Sequence, residues 1–243
     1  NAFGADVFRV FPTNLSGFAN SFTVNGDGND KLELIGTNNA DTFTQTAAAQ
    51  FTVNAIPINF LGVTTLQLTG LQSTDTFTAD LSTLAGGVTN LFVDGGEPSA
   101  NNDTLNLTTA GSARVTQSVD PQSGTVDNAG AVTVNYVATE SLNILANAAG
   151  STLLVRGTNN GEQIAIQGVA GNPNQGRVWI GAGTVITANN ANANFATLNV
   201  QGRFGDDHFS ITPIANVAVI AEGNDPTASD TTVVNVTSNT TFA

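Results

Sequence analysis

The chain has no cysteine and no methionine, and only one histidine, one tryptophan and one tyrosine. Without thiols it forms no disulfide, no thiolate metal site and no Cys nucleophile. With His208 as the lone imidazole, a His-based metal centre has no second ligand of that type, and a Ser-His-Asp arrangement would rest on that one residue. A chain that opens on Asn1 and lacks Met reads as a mature fragment of something longer. Positive charge is scarce too. Lys and Arg total 6 against 19 Asp and Glu, a formal net charge of −13, which repels nucleic acid and anionic lipid and favours cations. No apolar run approaches the ~20 residues of a membrane-spanning helix, so no membrane insertion is expected. A P-loop, a dinucleotide-binding glycine pattern and a basic, aromatic nucleic-acid surface are all missing.

Thr, Asn, Ala, Val and Gly dominate, and only 10% of residues are charged, so the good helix formers are nearly absent. Short alternating stretches take their place: Phe51 to Val53, Thr65 to Leu68, Asp103 to Leu107, Val132 to Val134 and Thr197 to Val200. Each is bounded by Gly, Asn, Asp or Pro, which predicts strands separated by turns. At 243 residues the chain can bury a core unaided. The expectation is an all-β fold.

An internal repeat narrows the architecture. Asp6-Val7-Phe8, Asp75-Thr76-Phe77 and Asp207-His208-Phe209 share Asp-x-Phe at a strand start. Each is followed by an acidic Gly turn: Asn25 to Gly28, Asp94 to Glu97 and Glu222 to Asp225. A second Asp-led strand then begins at Asp30, Asp103 or Asp230, and Gly36-Thr37-Asn38-Asn39 recurs as Gly157-Thr158-Asn159-Asn160. The pattern divides the chain into the end of a unit (1–29), a unit (30–102), a shortened unit (103–150), a unit (151–229) and the start of another (230–243). Loss of a coil is tolerated in a stack where each coil touches chiefly its neighbours. The expected architecture is therefore a single β-solenoid, a parallel β-helix in particular, with β-sandwich repeats as the alternative. Leu, Val, Phe and Ile would line its interior and Thr and Asn its outside. Asn39 and Asn160 are expected to form an internal asparagine ladder.

The succession Gly36 to Phe43, Val63 to Gly70, Asp75 to Phe77 and Asn25 to Leu32 resembles repeats of very large cell-surface proteins of planctomycetes and related bacteria. Such repeats are in turn distantly similar to calcium-binding β-roll and adhesion repeats. The resemblance implies an extracellular or cell-surface location and a structural role, and it implies no activity.

Hard oxygen ligands on an acidic chain make calcium the most plausible ion. Its candidate ligands are Asp27, Asn29, Asp30, Asp94, Glu97, Asp103, Asp206, Asp207, Asp225 and Asp230. The competing reading is that Asp, Asn and Gly build tight turns and that the Asp heading each strand accepts backbone N–H bonds. Asp206 and Asp207 are adjacent and would point to opposite faces, which argues against an acid-base pair. No catalytic residues are assigned.

The leading expectation is a structural protein of a bacterial surface, matrix or filament, meeting other copies of itself head to tail or neighbouring repeats of a longer chain. One alternative is a calcium-dependent adhesion module that binds surface glycans, with Trp179 or Tyr136 as a stacking platform. Another is a polysaccharide-acting β-helix enzyme, which would need Arg156, Arg177 or Arg203 beside carboxylates in one cleft.

Overall fold

The computed structural model describes residues 4–12, 22–97, 102–128, 132–189, 193–224 and 229–235. The described residues form twenty β-strands and no α-helix, so the all-β expectation holds. In order they are β1 (Val7–Val10), β2 (Phe22–Ile35), β3 (Thr42–Ala47), β4 (Gln50–Val53), β5 (Ile56–Thr69), β6 (Thr76–Asp80), β7 (Asn90–Asp94), β8 (Thr104–Thr109), β9 (Ala113–Gln117) and β10 (Gly124–Asn128). The remainder are β11 (Thr133–Val137), β12 (Ser141–Ala146), β13 (Ser151–Arg156), β14 (Gln163–Val169), β15 (Asn172–Ile180), β16 (Val185–Asn189), β17 (Phe195–Gln201), β18 (His208–Ile211), β19 (Ala218–Glu222) and β20 (Thr231–Val234). Two compact units emerge, Asn1–Thr108 with Gly130–Ser141, and Thr109–Ala129 with Leu142–Ala243.

In the first unit β1, β2, β5, β7 and β11 pair successively in parallel. Their registers place Leu32, Leu66, Leu91 and Val134 in one inward row, and Leu34, Leu68, Val93 and Tyr136 in the next. All eight are buried. Because side chains alternate along a strand, the residues between them face outward, and there the sequence supplies Thr, Gln, Asn and Lys. A second parallel set runs β3, β6, β8, with Phe43, Phe77 and Leu105 in register. The rings of Phe43 and Phe77 stack at 4.8 Å. Between these sets β3, β4 and the first part of β5 form an antiparallel meander, its turn at Asn54 and Ala55 using positive φ of 51° and 66°.

The second unit repeats the scheme. β9, β13, β17 and β19 pair in parallel, stacking Ala113, Leu153, Leu198 and Val219. β14, β18 and β20 form the other parallel set. Antiparallel excursions again interrupt it, β9 with β10 and β14 with β15 and β16. The ladders are thus mixed rather than purely parallel.

The Asp-led strands that alternate in the sequence lie side by side: β1 on the second half of β2, β6 on β8 and β18 on β20. The chain returns to the same corner one strand further on after 24, 28 and 23 residues respectively.

Burying Phe77 against Phe43 should dominate local stability. Phe77→Ala is expected to cost about 3–5 kcal/mol in urea denaturation, whereas Phe204→Ala, at a side chain 55% exposed, should stay within roughly 0.5 kcal/mol of the parent.

Candidate functional site

The acidic residues gather at the corners where the chain enters each new strand. In the first unit the Asp41 N–H donates to Asp75 Oδ1 at 2.7 Å, the Asp75 N–H to Asp103 Oδ1 at 2.6 Å, and the Asp103 N–H to Glu140 Oε2 at 2.5 Å. In the second unit the Glu162 N–H donates to Asp207 Oδ1 at 2.9 Å and the Asp207 N–H to Asp230 Oδ1 at 3.0 Å. The Asp6 N–H reaches Asp30 Oδ1 in the same way at 2.9 Å. Each of these residues also offers its carbonyl to the strand beyond: Asp41 O accepts from the Thr76 N–H, Asp75 O from Thr104, and Asp207 O from Thr231, each at 2.9 Å. The strand ladder is thereby carried into the corner, where backbone alone would leave an amide without an acceptor.

A glycine precedes Asp30, Asp41, Asp75, Asp103, Glu162, Asp207 and Asp230 and makes this geometry attainable, whereas Ala138, at a positive φ of 47°, precedes Glu140. A Cβ on Gly36 would stand 2.6 Å from Asp41 Oδ2 and 2.9 Å from Gly70 O, and one on Gly95 or Gly157 would lie 2.6 Å from the carboxylate of Asp103 or Glu162. No side chain fits there. The glycines themselves stack, with the Gly36 N–H on Thr69 O, Gly70 on Asp94 O and Gly95 on Val137 O.

Two versions of the corner differ in the residue after the glycine. At Asp27, Thr37 and Thr158 that residue's N–H also binds the acid, reaching Asp30 Oδ2 at 2.7 Å, Asp41 Oδ2 at 2.5 Å and Glu162 Oε1 at 2.9 Å. At Leu71 and Arg203 the backbone is left-handed, with φ of 85° and 88°. There the second oxygen loses its donor: Asp75 Oδ2 and Asp207 Oδ2 are buried without a hydrogen-bond partner, and the Arg203 N–H serves Gly223 O instead.

Electrostatics follow from that burial. Removal from water pushes the Asp75 carboxyl up to about 6, and its neighbour Asp103 to about 7, against the partial relief of the backbone N–H each accepts. Burial raises Asp94, Glu140, Glu162 and Asp207 as well. Glu33 is the exception. A hydrogen bond from Lys31, aided by Arg9, holds it below the usual range.

Of the calcium candidates, Asp30, Asp103, Asp207 and Asp230 are corner acceptors. Asp27 and Asn29 lie exposed along β2, Glu97 is exposed, and Asp94 closes β7 half-buried. Asp206 is exposed and accepts the Ser229 N–H at 2.9 Å, while its neighbour Asp207 is buried. Asp225 lies outside the described residues. Among the described residues no three His, Asp or Glu side chains come together as a metal-holding group. Sequence reasoning passed over Asp41, Glu140 and Glu162 as site residues. The repeat of Gly36 to Asn39 at Gly157 to Asn160 carried the missing signal, since Asp41 and Glu162 stand at the same distance from the two glycines.

The internal asparagine ladder is not formed: Asn39 and Asn160 are exposed, and their N–H groups close local turns on Thr37 and Thr158 Oγ1 at 3.1 and 3.2 Å. Tyr136 is buried, and Trp179 is half-buried on β15. Arg156 donates to Gln201 at 2.8 Å. Among the described residues the ion pairs of the basic groups are those of Arg9, Lys31 and Arg114. No protein-family model, curated protein or solved structure matches the chain.

Raised carboxyl pKa values mean that the folded chain binds more protons than the unfolded one in this range. The stabilisation is complete below about pH 4, the ordinary carboxylate value, and is lost as pH rises through 6 to 7. Thermal melts at fixed ionic strength should give a higher midpoint at pH 5 than at pH 8. Asp103→Asn, which keeps an acceptor but cannot titrate, should flatten that dependence.

Proposed function

We propose that the chain is a structural repeat module of a bacterial cell surface or extracellular matrix, built as a parallel β-solenoid with antiparallel excursions. The observation that carries this reading is the use of the acids. Where a catalyst would hold reactive carboxylates toward a cleft, this chain turns them into the corners as acceptors for its own backbone, strand after strand. Outward positions are dominated by Thr, Asn and Gln. Calcium has no part in the proposal.

The open ends of the corner stacks are complementary. Every link runs from the N–H of one acid to the carboxylate of the next. The Asp6 carboxylate accepts no hydrogen bond among the described residues, and the Asp230 N–H has no acceptor among them. A junction that places Asp230 of one copy under Asp6 of the next would continue the series. The flanking edges suit such a contact: among the described residues β1 and β20 each have one ladder neighbour, with Val7, Val233 and Val234 exposed by 52%, 47% and 38%. Unpaired apolar edges with few lysines recruit other strands, and a head-to-tail contact that does not close makes an open array. The partner is another copy or the neighbouring repeat of a longer chain.

Sedimentation velocity and electron microscopy test assembly between copies. Concentration-dependent association into regular fibres is expected, and Val233→Lys, a charge on the exposed edge, should abolish it while leaving the thermal midpoint in place. A parent chain that stays monomeric at millimolar concentration contradicts self-assembly and leaves neighbouring repeats as the occupant.

A further inference from the structure

We propose that the outward face of β2, β5, β7 and β11 binds an acidic polysaccharide. The registers set Lys31, Thr65 and Asn90 in one outward row and Glu33, Gln67, Phe92 and Asn135 in the next. Six of these residues, Lys31, Thr65, Gln67, Asn90, Phe92 and Asn135, line a cavity of about 430 Å³ on that face, a size within the range of small-ligand sites.

Phe92 is the residue the fold does not account for. Its neighbours Leu91 and Val93 are fully buried in the interior rows, whereas Phe92 points the other way and is left half-buried among amides. A phenyl ring on an outer sheet face adds nothing to the core. It offers a flat apolar surface to the C–H face of a pyranose ring. Gln67 and Asn135 stand on the adjacent strands at its two sides, and each amide provides both donors and an acceptor, the mixture that sugar hydroxyls require.

Charge selects an acidic sugar. Lys31 is the only lysine of the chain. It pairs with Glu33 Oε1 at 2.8 Å while Arg9 holds Oε2 at 2.6 Å, so two cations meet one carboxylate. The result is a locally positive spot on a chain of −13, able to steer a uronate carboxylate or a sulfate. A nucleic acid, with a phosphate at every nucleotide, would meet the surrounding negative field along its whole length; an acidic glycan presents its charges on rings that the Phe92 platform can seat. The face adjoins the β1 edge used in the assembly proposed above, Val7 lying in register with Lys31, and a chain that cannot assemble separates the two readings.

Isothermal titration of the Val233→Lys chain, which removes avidity from assembly, tests the proposal with polygalacturonate, dextran and a single-stranded oligonucleotide as probes. Polygalacturonate should bind at low ionic strength and dextran should not. Phe92→Ala should weaken binding by about tenfold, the equivalent of 1.4 kcal/mol, and Lys31→Gln should weaken it several-fold with a shallower salt dependence. Thermal melts verify that each variant folds, and Asn135→Ala replaces Phe92→Ala if that one does not. Absent binding of polygalacturonate, affinity unchanged by the variants, equal binding of dextran, or preference for the oligonucleotide would each overturn the proposal.

Discussion

A chain that turns sharply between strands exposes backbone amides in the corner, where no strand partner is aligned to receive them. Here that problem is solved by a carboxylate placed one strand further on. Backbone amides of successive corners lie about 4.8 Å apart, the spacing between paired strands, and an Asp side chain is long enough for one oxygen to reach the amide of the neighbouring corner. At Asp30 and Asp41 the other oxygen accepts from the residue's own turn. The charge-assisted bond is worth roughly 1.5–3 kcal/mol, but stacking buried carboxylates incurs desolvation of several kcal/mol per ion. Burial accordingly raises the Asp75 and Asp103 carboxyls to about 6 and about 7, and a carboxyl that takes up a proton still accepts through its carbonyl oxygen.

Other features follow from this corner. Gly36, Gly70, Gly95 and Gly157 are obliged to lack a side chain because the acid occupies the place of a Cβ. Fixing the corner also fixes the register of the strand behind it, so Phe43 falls on Phe77 and Leu32 on Leu66. The antiparallel excursions through β4 and through β15 and β16 leave the parallel sets and return to them, and the acid links across them span 34 and 45 residues rather than 23 to 28. A scheme that tolerates such excursions needs only the Gly and the acid to recur. The outer faces are then left to vary, and on one of them an outward Phe and the sole lysine sit together.

Much of this was legible beforehand because period-two alternation and Gly-to-Asp punctuation are local signals. The stretches at Phe51, Thr65, Asp103, Val132 and Thr197 all fall within or against strands, and pairing Asp6 with Asp30, Asp75 with Asp103 and Asp207 with Asp230 reproduces true neighbours. The role of the acids was harder to read. A turn rich in Asp and Gly looks the same whether its oxygens face a cation or an amide of the next corner, and only the stacking distinguishes them. Asn39 and Asn160 misled because a verbatim repeat marks an equivalent turn without saying which residue points inward; the carboxylates of Asp41 and Glu162, a few residues later, do so. Phe92 carried no sequence signal, since one Phe among alternating Leu and Val reads as core until the register is known.

The central claim is that acid-to-amide links hold the corners as firmly as the strands themselves. Amide hydrogen exchange followed by NMR measures this directly at Asp41, Asp75, Asp103, Glu162 and Asp207. Because each N–H is bonded to a carboxylate on the adjacent corner, these amides should exchange as slowly as those of Leu66 and Leu198 in the buried strands, opening only with the global unfolding of their unit. Exchange within minutes, at the rate of exposed turn amides such as Asn38, would contradict the account.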